Sequence, residues 1–255
     1  LRKNASLEKL KRIKIQAKIF KPKFIIPFAS FIKFSHIDNF YMNDEINKIH
    51  YVEDYILKNT SSIPIILYPG DKWNGDKKID NSNAIKQYQD DSKKNIELFD
   101  NSNIIQLDEL QKLALKYIDN IKKRNNWNFI KFLHKLNFFK TTNIFLKDSQ
   151  TSISFNLIDG LKKSSIEKKH VDIITDSDSL SFVFLWDYGM DSLFVNARFC
   201  TSGGKIMNFF RLFLIGTMNN NGRTFPLGIL AFLFHERSMW KTKFLEIILG
   251  KYALK

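Results

Sequence analysis

An apolar run near the start of the chain leads into a cluster of polar side chains, and this feature constrains the fold most. Phe24 to Phe34 is rich in residues that favour β-strands, and it contains Pro27, which in a strand must lie at an edge or a bend. Residues 5–20 place apolar side chains at helical spacing between basic ones, which predicts an amphipathic helix. Lys21-Pro22 ends this helix, because the residue before a proline disfavours helical backbone. A helix followed by a proline and a buried strand is typical of α/β layer folds.

Polar side chains follow this run at the point where the strand leaves the core. Among them, Asn39 and Tyr41 suit hydroxyl-rich or charged ligands. The imidazole of His36 can bind a metal, donate to a substrate or act as an acid or base, or else it caps the loop. A second apolar run, residues 63–68, ends in Pro69-Gly70-Asp71. The aspartate of this turn can orient a ligating histidine, contact a substrate or form an Asx turn.

The lysines give the chain a net charge of +14, which raises the question of a nucleic-acid partner. They occur singly or in pairs in every segment, and no RNP-like, zinc-finger or helix-turn-helix signature organises them. We therefore expect the lysines to be solvated on polar surfaces, and we expect no nucleic-acid partner. If the lysines have a binding role, an anionic small molecule is the next expected ligand. Nucleic-acid association through the lysines stays a third hypothesis, which a steep salt dependence of binding would support.

Composition excludes several other classes of protein. Apolar residues make up 44% of the chain, which excludes global disorder. The apolar runs at 209–215 and 225–234 are shorter than the roughly 20 residues that a membrane span needs. The single cysteine rules out a disulfide framework, and no two of the five histidines stand at metal-ligand spacing. We expect a cytoplasmic protein without a membrane span.

The residue pattern changes along the second half of the chain. Residues 71–103 are polar, and we interpret them as part substrate loop and part linker. The sequence predicts an α/β part at residues 1–100 and, at 101–255, an α+β domain with a mainly antiparallel sheet. Ser177 to Phe199 is expected to form a hairpin, with Arg198 as a candidate anion ligand. We predict helices at 108–123, 127–139, 204–218 and 238–249, and strands at 144–146, 151–157, 171–175, 180–186 and 192–199.

Four stretches of the first part of the chain carry a resemblance to a known family: Lys21-Pro22-Lys23-Phe24-Ile25-Ile26-Pro27-Phe28-Ala29-Ser30-Phe31, Phe34-Ser35-His36, Asn39-Phe40-Tyr41-Met42-Asn43 and Leu67-Tyr68-Pro69-Gly70-Asp71-Lys72-Trp73. With them, residues 5–75 resemble the late part of a bacterial metallo-β-lactamase-fold hydrolase, in the branch similar to sugar-nucleotide hydroxylases and polysaccharide-cluster proteins. The later residues resemble the accessory domain of such proteins and are similar to a sterol-carrier-type fold.

This resemblance implies a fold, a site and a cofactor. It implies partial metallo-β-lactamase-type layers at 1–100, zinc or iron as the metal of the intact protein, and His36 as a metal ligand. Asn39, Tyr41 and Asp71 would line the pocket of a small-molecule substrate, anionic or sugar-linked. The family's H-x-H-x-D-H motif is absent from the 255 residues, so we expect it upstream of Leu1 or on another subunit.

The leading hypothesis is therefore the C-terminal portion of a metal-dependent hydrolase that is inactive by itself. The alternative is a non-catalytic binding module, in which a Phe-rich interior of the second part holds a lipid-like or anionic ligand.

Overall fold

A computed structural model describes residues 2–28, 33–100, 103–202 and 205–228 of the chain. The chain divides into two compact units, Leu1–Asp100 and Asn101–Lys255, which we call unit 1 and unit 2. The predicted helix at 238–249 lies outside the described residues. The family identities predicted for the two parts stay predictions.

Unit 1 consists of helices around one short parallel strand pair. Phe24 pairs with Ile63 and Ile25 with Pro64, so each predicted strand is regular over only two described residues. Prolines near both strands limit the ladder, because a proline offers no N–H to it. The elements are α1 (Arg2–Phe20), β1 (Phe24–Ile25), a 3-10 helix (Phe40–Glu45), α2 (Ile49–Asn59), β2 (Ile63–Pro64) and α3 (Ser82–Lys93).

Helix α3 was not predicted, since the sequence indicated a loop or linker over 71–103. Its apolar face is narrow and consists of Ala84, Ile85 and Tyr88, which pack with Ile49 and Ile66. Just before it, the buried Asn81 side chain accepts a hydrogen bond from the Ile66 N–H at 2.9 Å. The Asn81 amide also donates to Glu53 Oε1 at 2.8 Å and to the Pro64 carbonyl at 2.9 Å. The start of the helix is thus anchored by the hydrogen bonds of one buried amide and by a few apolar contacts.

Unit 2 has a four-stranded mixed sheet in the order β5-β4-β3-β6. The β3–β4 and β4–β5 pairs are antiparallel and β3–β6 is parallel, so the predicted mainly antiparallel sheet is confirmed in part. The elements are α4 (Leu107–Arg124), α5 (Trp127–Lys135), β3 (Thr142–Leu146), β4 (Thr151–Asn156), β5 (Gly160–Lys163), a 3-10 helix (Lys168–His170), β6 (Ile173–Thr175), α6 (Ser177–Leu185), α7 (Gly189–Asn196) and α8 (Ile206–Asn220).

The strands predicted at 180–186 and 192–199 are wrong, because residues 180–185 belong to α6 and residues 192–196 to α7. Asp176 starts α6 as its N-cap, and its carboxylate accepts a hydrogen bond from the Ser179 N–H at 2.6 Å. Leu180, Val183 and Phe184 are then buried at helical spacing. The predicted hairpin is therefore absent from this part of the structure.

Aromatic side chains fill the interior of unit 2 between the sheet and its helices. Phe209 and Phe213 have ring centroids 4.7 Å apart, and Phe155 lies 5.0 Å from Phe184 and 5.6 Å from Phe213. Burial raises the pKa of the Tyr117 phenol, which packs among these rings. Across the described residues, none of the helices combines the length and the apolar character needed to cross a bilayer.

Candidate functional site

His36 lies just before the 3-10 helix, in a segment that is pinned to Phe99. The Ile37 N–H donates to the Phe99 carbonyl at 3.0 Å, and the Phe99 N–H donates to the Ser35 carbonyl at 2.8 Å. These two bonds flank His36 on either side, so its backbone is fixed. Its side chain is 12% exposed and therefore projects into the protein more than into solvent.

The two ring nitrogens of His36 have different surroundings. Nδ1 accepts from the Asp38 N–H (3.2 Å) in one tautomer and donates to Asp38 Oδ2 (3.3 Å) in the other. Nε2 is buried and has no hydrogen-bond partner within the described residues. When Nδ1 carries the proton, Nε2 offers a lone pair, which is how a histidine held by a carboxylate binds a metal.

Asn43 holds the His36 segment against the 3-10 helix. Its Oδ1 accepts from the Phe34 N–H at 2.9 Å, while its Nδ2 donates to the Phe34 carbonyl at 2.8 Å and to the Phe40 carbonyl at 2.9 Å. The amide thereby reproduces the pairing of a neighbouring strand.

The predicted substrate residues Asn39 and Tyr41 lie on the same segment but differ in exposure. Asn39 is 6% exposed, whereas Tyr41 is 43% exposed. The guanidinium of Arg2 lies 5.3 Å from the centroid of the Tyr41 ring and also pairs with Asp44 at 2.8 Å. Tyr41 is therefore a surface residue held by α1, and Asn39 is an interior one.

The fourth predicted residue, Asp71, belongs to the turn after the second apolar run. Its Oδ2 accepts a hydrogen bond from the Tyr68 N–H at 2.8 Å, and the Asp71 N–H donates to the Tyr68 carbonyl at 2.9 Å. Within the described part of unit 1, this carboxylate makes no hydrogen bond to the His36 segment. Of the three roles open to it from the sequence, the observed contacts are those of a turn-forming side chain.

A cavity of about 310 Å³ opens beside this turn. The four predicted site residues are absent from its wall in the described structure, although Tyr68, which Asp71 holds, forms part of it. The charged and aromatic residues of the wall are Lys33, Lys48, His50, Tyr68, Tyr88 and Asp91.

The phenols on this wall stay protonated at neutral pH. The Tyr68 hydroxyl donates to Asp91 Oδ2 at 2.6 Å, and this hydrogen bond raises the pKa of Tyr68. Hydrogen bonds from Lys94 and then from Tyr68 lower the pKa of Asp91. Burial raises the pKa of Tyr88, with the charge of Asp71 adding to the effect. The Tyr88 hydroxyl donates to the Leu67 carbonyl at 2.9 Å. The cavity therefore presents neutral phenols whose protons are already donated within the protein, and not a phenolate base.

The sequence did not identify two side chains of the cavity, Lys33 and His50, as site residues. The Lys33 ammonium lies 2.6 Å from the Ser92 carbonyl and 3.3 Å from the Lys94 carbonyl, at the negative end of α3. His50 has a buried Nδ1 without a hydrogen-bond partner in the described structure. No local spacing brings these two residues together, so the sequence offered no signal for them.

The metal implied by the resemblance can be compared with the side chains present. The buried Nε2 of His36 fits one metal ligand. The described residues include no group of three or more His, Cys, Asp or Glu side chains placed to hold a metal ion. These residues therefore supply one candidate ligand and do not by themselves complete a zinc or iron site.

Comparisons of the chain with protein-family models, with curated proteins and with solved structures found no match.

Proposed function

We propose that this chain is part of a metal-dependent hydrolase of the metallo-β-lactamase fold and has little or no activity alone. The observation that carries the proposal is the buried, unpartnered Nε2 of His36 beside the carboxylate of Asp38. A buried imidazole nitrogen without a partner is costly unless a ligand satisfies it. Zinc or iron, when bound, lowers the pKa of a coordinated water so that it becomes a nucleophile at neutral pH.

In this proposal the cavity beside Tyr68 holds a small substrate with an anionic group. Lys33 and Lys48 bring two positive charges to the wall against the single carboxylate of Asp91. The hydroxyls of Tyr68 and Tyr88 donate to Asp91 and to the Leu67 carbonyl, so their rings supply flat apolar surface to the substrate. Asp71 acts as a positioning residue, because its carboxylate fixes the backbone of Tyr68.

The test uses the protein with the segment that is proposed to carry the H-x-H-x-D-H motif. Metal content per chain is measured by plasma mass spectrometry for the parent protein, for His36→Ala and for a control, His170→Ala, which changes an exposed histidine of unit 2. We expect His36→Ala to lower the metal content and the hydrolysis of a chromogenic ester and phosphodiester panel, and the control to leave both unchanged.

Two outcomes would contradict the proposal. One is an unchanged metal content in His36→Ala. The other is metal-dependent turnover by the present 255 residues without any added segment.

The packing of unit 2 gives less support to the alternative, a non-catalytic module that binds a lipid-like or anionic ligand in its Phe-rich interior. The rings of Phe155, Phe184, Phe209 and Phe213 pack against one another where the lipid cavity was expected.

A further inference from the structure

We propose that unit 2 has a binding site for a neutral sugar, formed by α6, α7 and Arg198. All of its residues lie in unit 2, so it is independent of the hydrolase proposal for unit 1. The site is a cavity of about 180 Å³, lined by Asp178, Ser179, Phe182, Leu193, Asn196 and Arg198. This wall combines a carboxylate, an amide and a guanidinium with two apolar side chains.

Arg198 is held in place by the interior of the unit. Its Nη2 donates to Asp176 Oδ2 at 2.9 Å, and the Asp176 side chain is fully buried. Asp176 is itself fixed as the N-cap of α6 and lies 3.8 Å from the ammonium of Lys147. The guanidinium is therefore pre-organised, and a ligand that binds it loses little conformational entropy.

A second nitrogen of Arg198 faces the carboxylate of Asp178 across a gap. Nη1 lies 3.9 Å from Asp178 Oδ2, which is longer than a hydrogen bond. A hydroxyl group can accept from the guanidinium and donate to the carboxylate at once, because it is both acceptor and donor. A carboxylate or phosphate would be repelled by Asp178, and an ammonium by Arg198. The pair therefore selects a neutral hydroxyl.

The apolar side of the cavity suits the ring of a sugar. Phe182 and Leu193 supply the apolar part of the lining, and Phe182 is 44% exposed. The C–H face of a pyranose packs on an aromatic ring while its hydroxyls meet polar groups at the edge. A ligand with hydroxyls along one edge and a C–H face beside them matches both the polar and the apolar residues of this lining.

Phe182 also lines a second cavity of about 380 Å³, which includes Trp186, Asp187 and Tyr188. The rings of Phe182 and Trp186 have centroids 6.0 Å apart, and Trp186 and Tyr188 are both exposed. Two neighbouring cavities that share one aromatic ring accommodate two linked sugar units. We therefore expect a neutral disaccharide to bind more tightly than a monosaccharide.

The test is saturation-transfer-difference NMR on the whole chain at millimolar sugar concentrations. The neutral probes are the methyl glycosides of glucose, galactose and mannose, with maltose and cellobiose as disaccharides; glucuronic acid and glucosamine are the charged probes. We expect at least one neutral probe to bind, and both charged probes to bind more weakly. Asp178→Ala and Phe182→Ala should each weaken binding about tenfold, the effect of one lost hydrogen-bonded or stacked contact.

Matched controls separate the site from general effects of substitution. Asp108→Ala changes another acidic residue in a first helical turn, and Phe132→Ala changes another exposed phenylalanine; neither should affect binding. Circular dichroism melting verifies that each variant is folded. The proposal is overturned if no neutral probe binds, if a charged probe binds best, or if binding survives Asp178→Ala in the folded protein.

Discussion

Replacement of Arg198 by methionine should destabilise unit 2 strongly. The change removes the nearer cationic partner of Asp176, whose side chain is fully buried and accepts from Arg198 Nη2 at 2.9 Å. Breaking a buried ion pair from one side costs about 3–5 kcal/mol, because a charge is left without its partner. Lys147 stays 3.8 Å from the same carboxylate oxygen, so we expect the lower end, about 3 kcal/mol.

Urea denaturation monitored by pulsed hydrogen exchange measures this loss. The peptide that contains β3 reports on unit 2 alone. With a urea dependence of about 2 kcal/mol/M, a loss of about 3 kcal/mol lowers the midpoint by about 1.5 M. Lys162→Met is the control, because Lys162 pairs with Asp159 only at the surface and its midpoint should hardly move.

The double variant Asp176→Asn with Arg198→Met tests the cause of this loss. If a stranded buried charge is responsible, neutralising Asp176 recovers part of the lost stability, and the double variant is more stable than Arg198→Met alone. A loss below about 1 kcal/mol in Arg198→Met, or a double variant no more stable than the single one, would refute the reasoning.

Other substitutions test further contacts by urea unfolding and by exchange. Asn43→Ala should speed exchange of the Phe34 amide and cost unit 1 about 1–2 kcal/mol, since three hydrogen bonds are lost; unchanged exchange would contradict this. Gly189→Ala should cost at least about 2 kcal/mol, because its new Cβ would lie 2.7 Å from Val183 Cα, and Ser192→Ala is its control. Because the pKa of Tyr117 is raised in the folded state, its contribution to the stability of the fold is complete below pH about 10 and is lost as the pH rises further. Tyr117→Phe should therefore reduce the alkaline loss of stability, and an unaltered pH profile would contradict the assignment.

The parts of the fold that the sequence predicts are those with a clear local period. Helix α4 buries Leu110, Ala114, Ile118 and Ile121, which is the spacing visible in the sequence. Helix α6 was wrongly predicted as a strand because its apolar residues are nearly continuous. Such a run does not distinguish a strand from a buried helix. The signal that identifies the helix is its N-cap residue Asp176, whose carboxylate accepts a hydrogen bond from the Ser179 N–H.

The sequence could predict only those contacts of the candidate site that join residues close to one another in the chain. His36 and Asp38 are close in the chain and touch in the structure. The cavity beside Tyr68 instead combines Lys33, His50 and Tyr88, which come from separate segments of unit 1. Their approach depends on α3, whose small apolar face gave little periodic signal, so the cavity could not be inferred from spacing.

Asp176 and Asp178 show how one turn of helix separates a structural role from a binding role. The two residues are separated by only one position in the chain. Asp176, at the N-cap, points inward, whereas the side chain of Asp178 is 38% exposed. Arg198 lies between them, with Nη2 on the buried carboxylate and Nη1 facing the exposed one. Urea unfolding therefore measures the first contact and sugar binding the second. Loss of the Asp178 carboxylate should weaken only the sugar, because the interior pair does not depend on it.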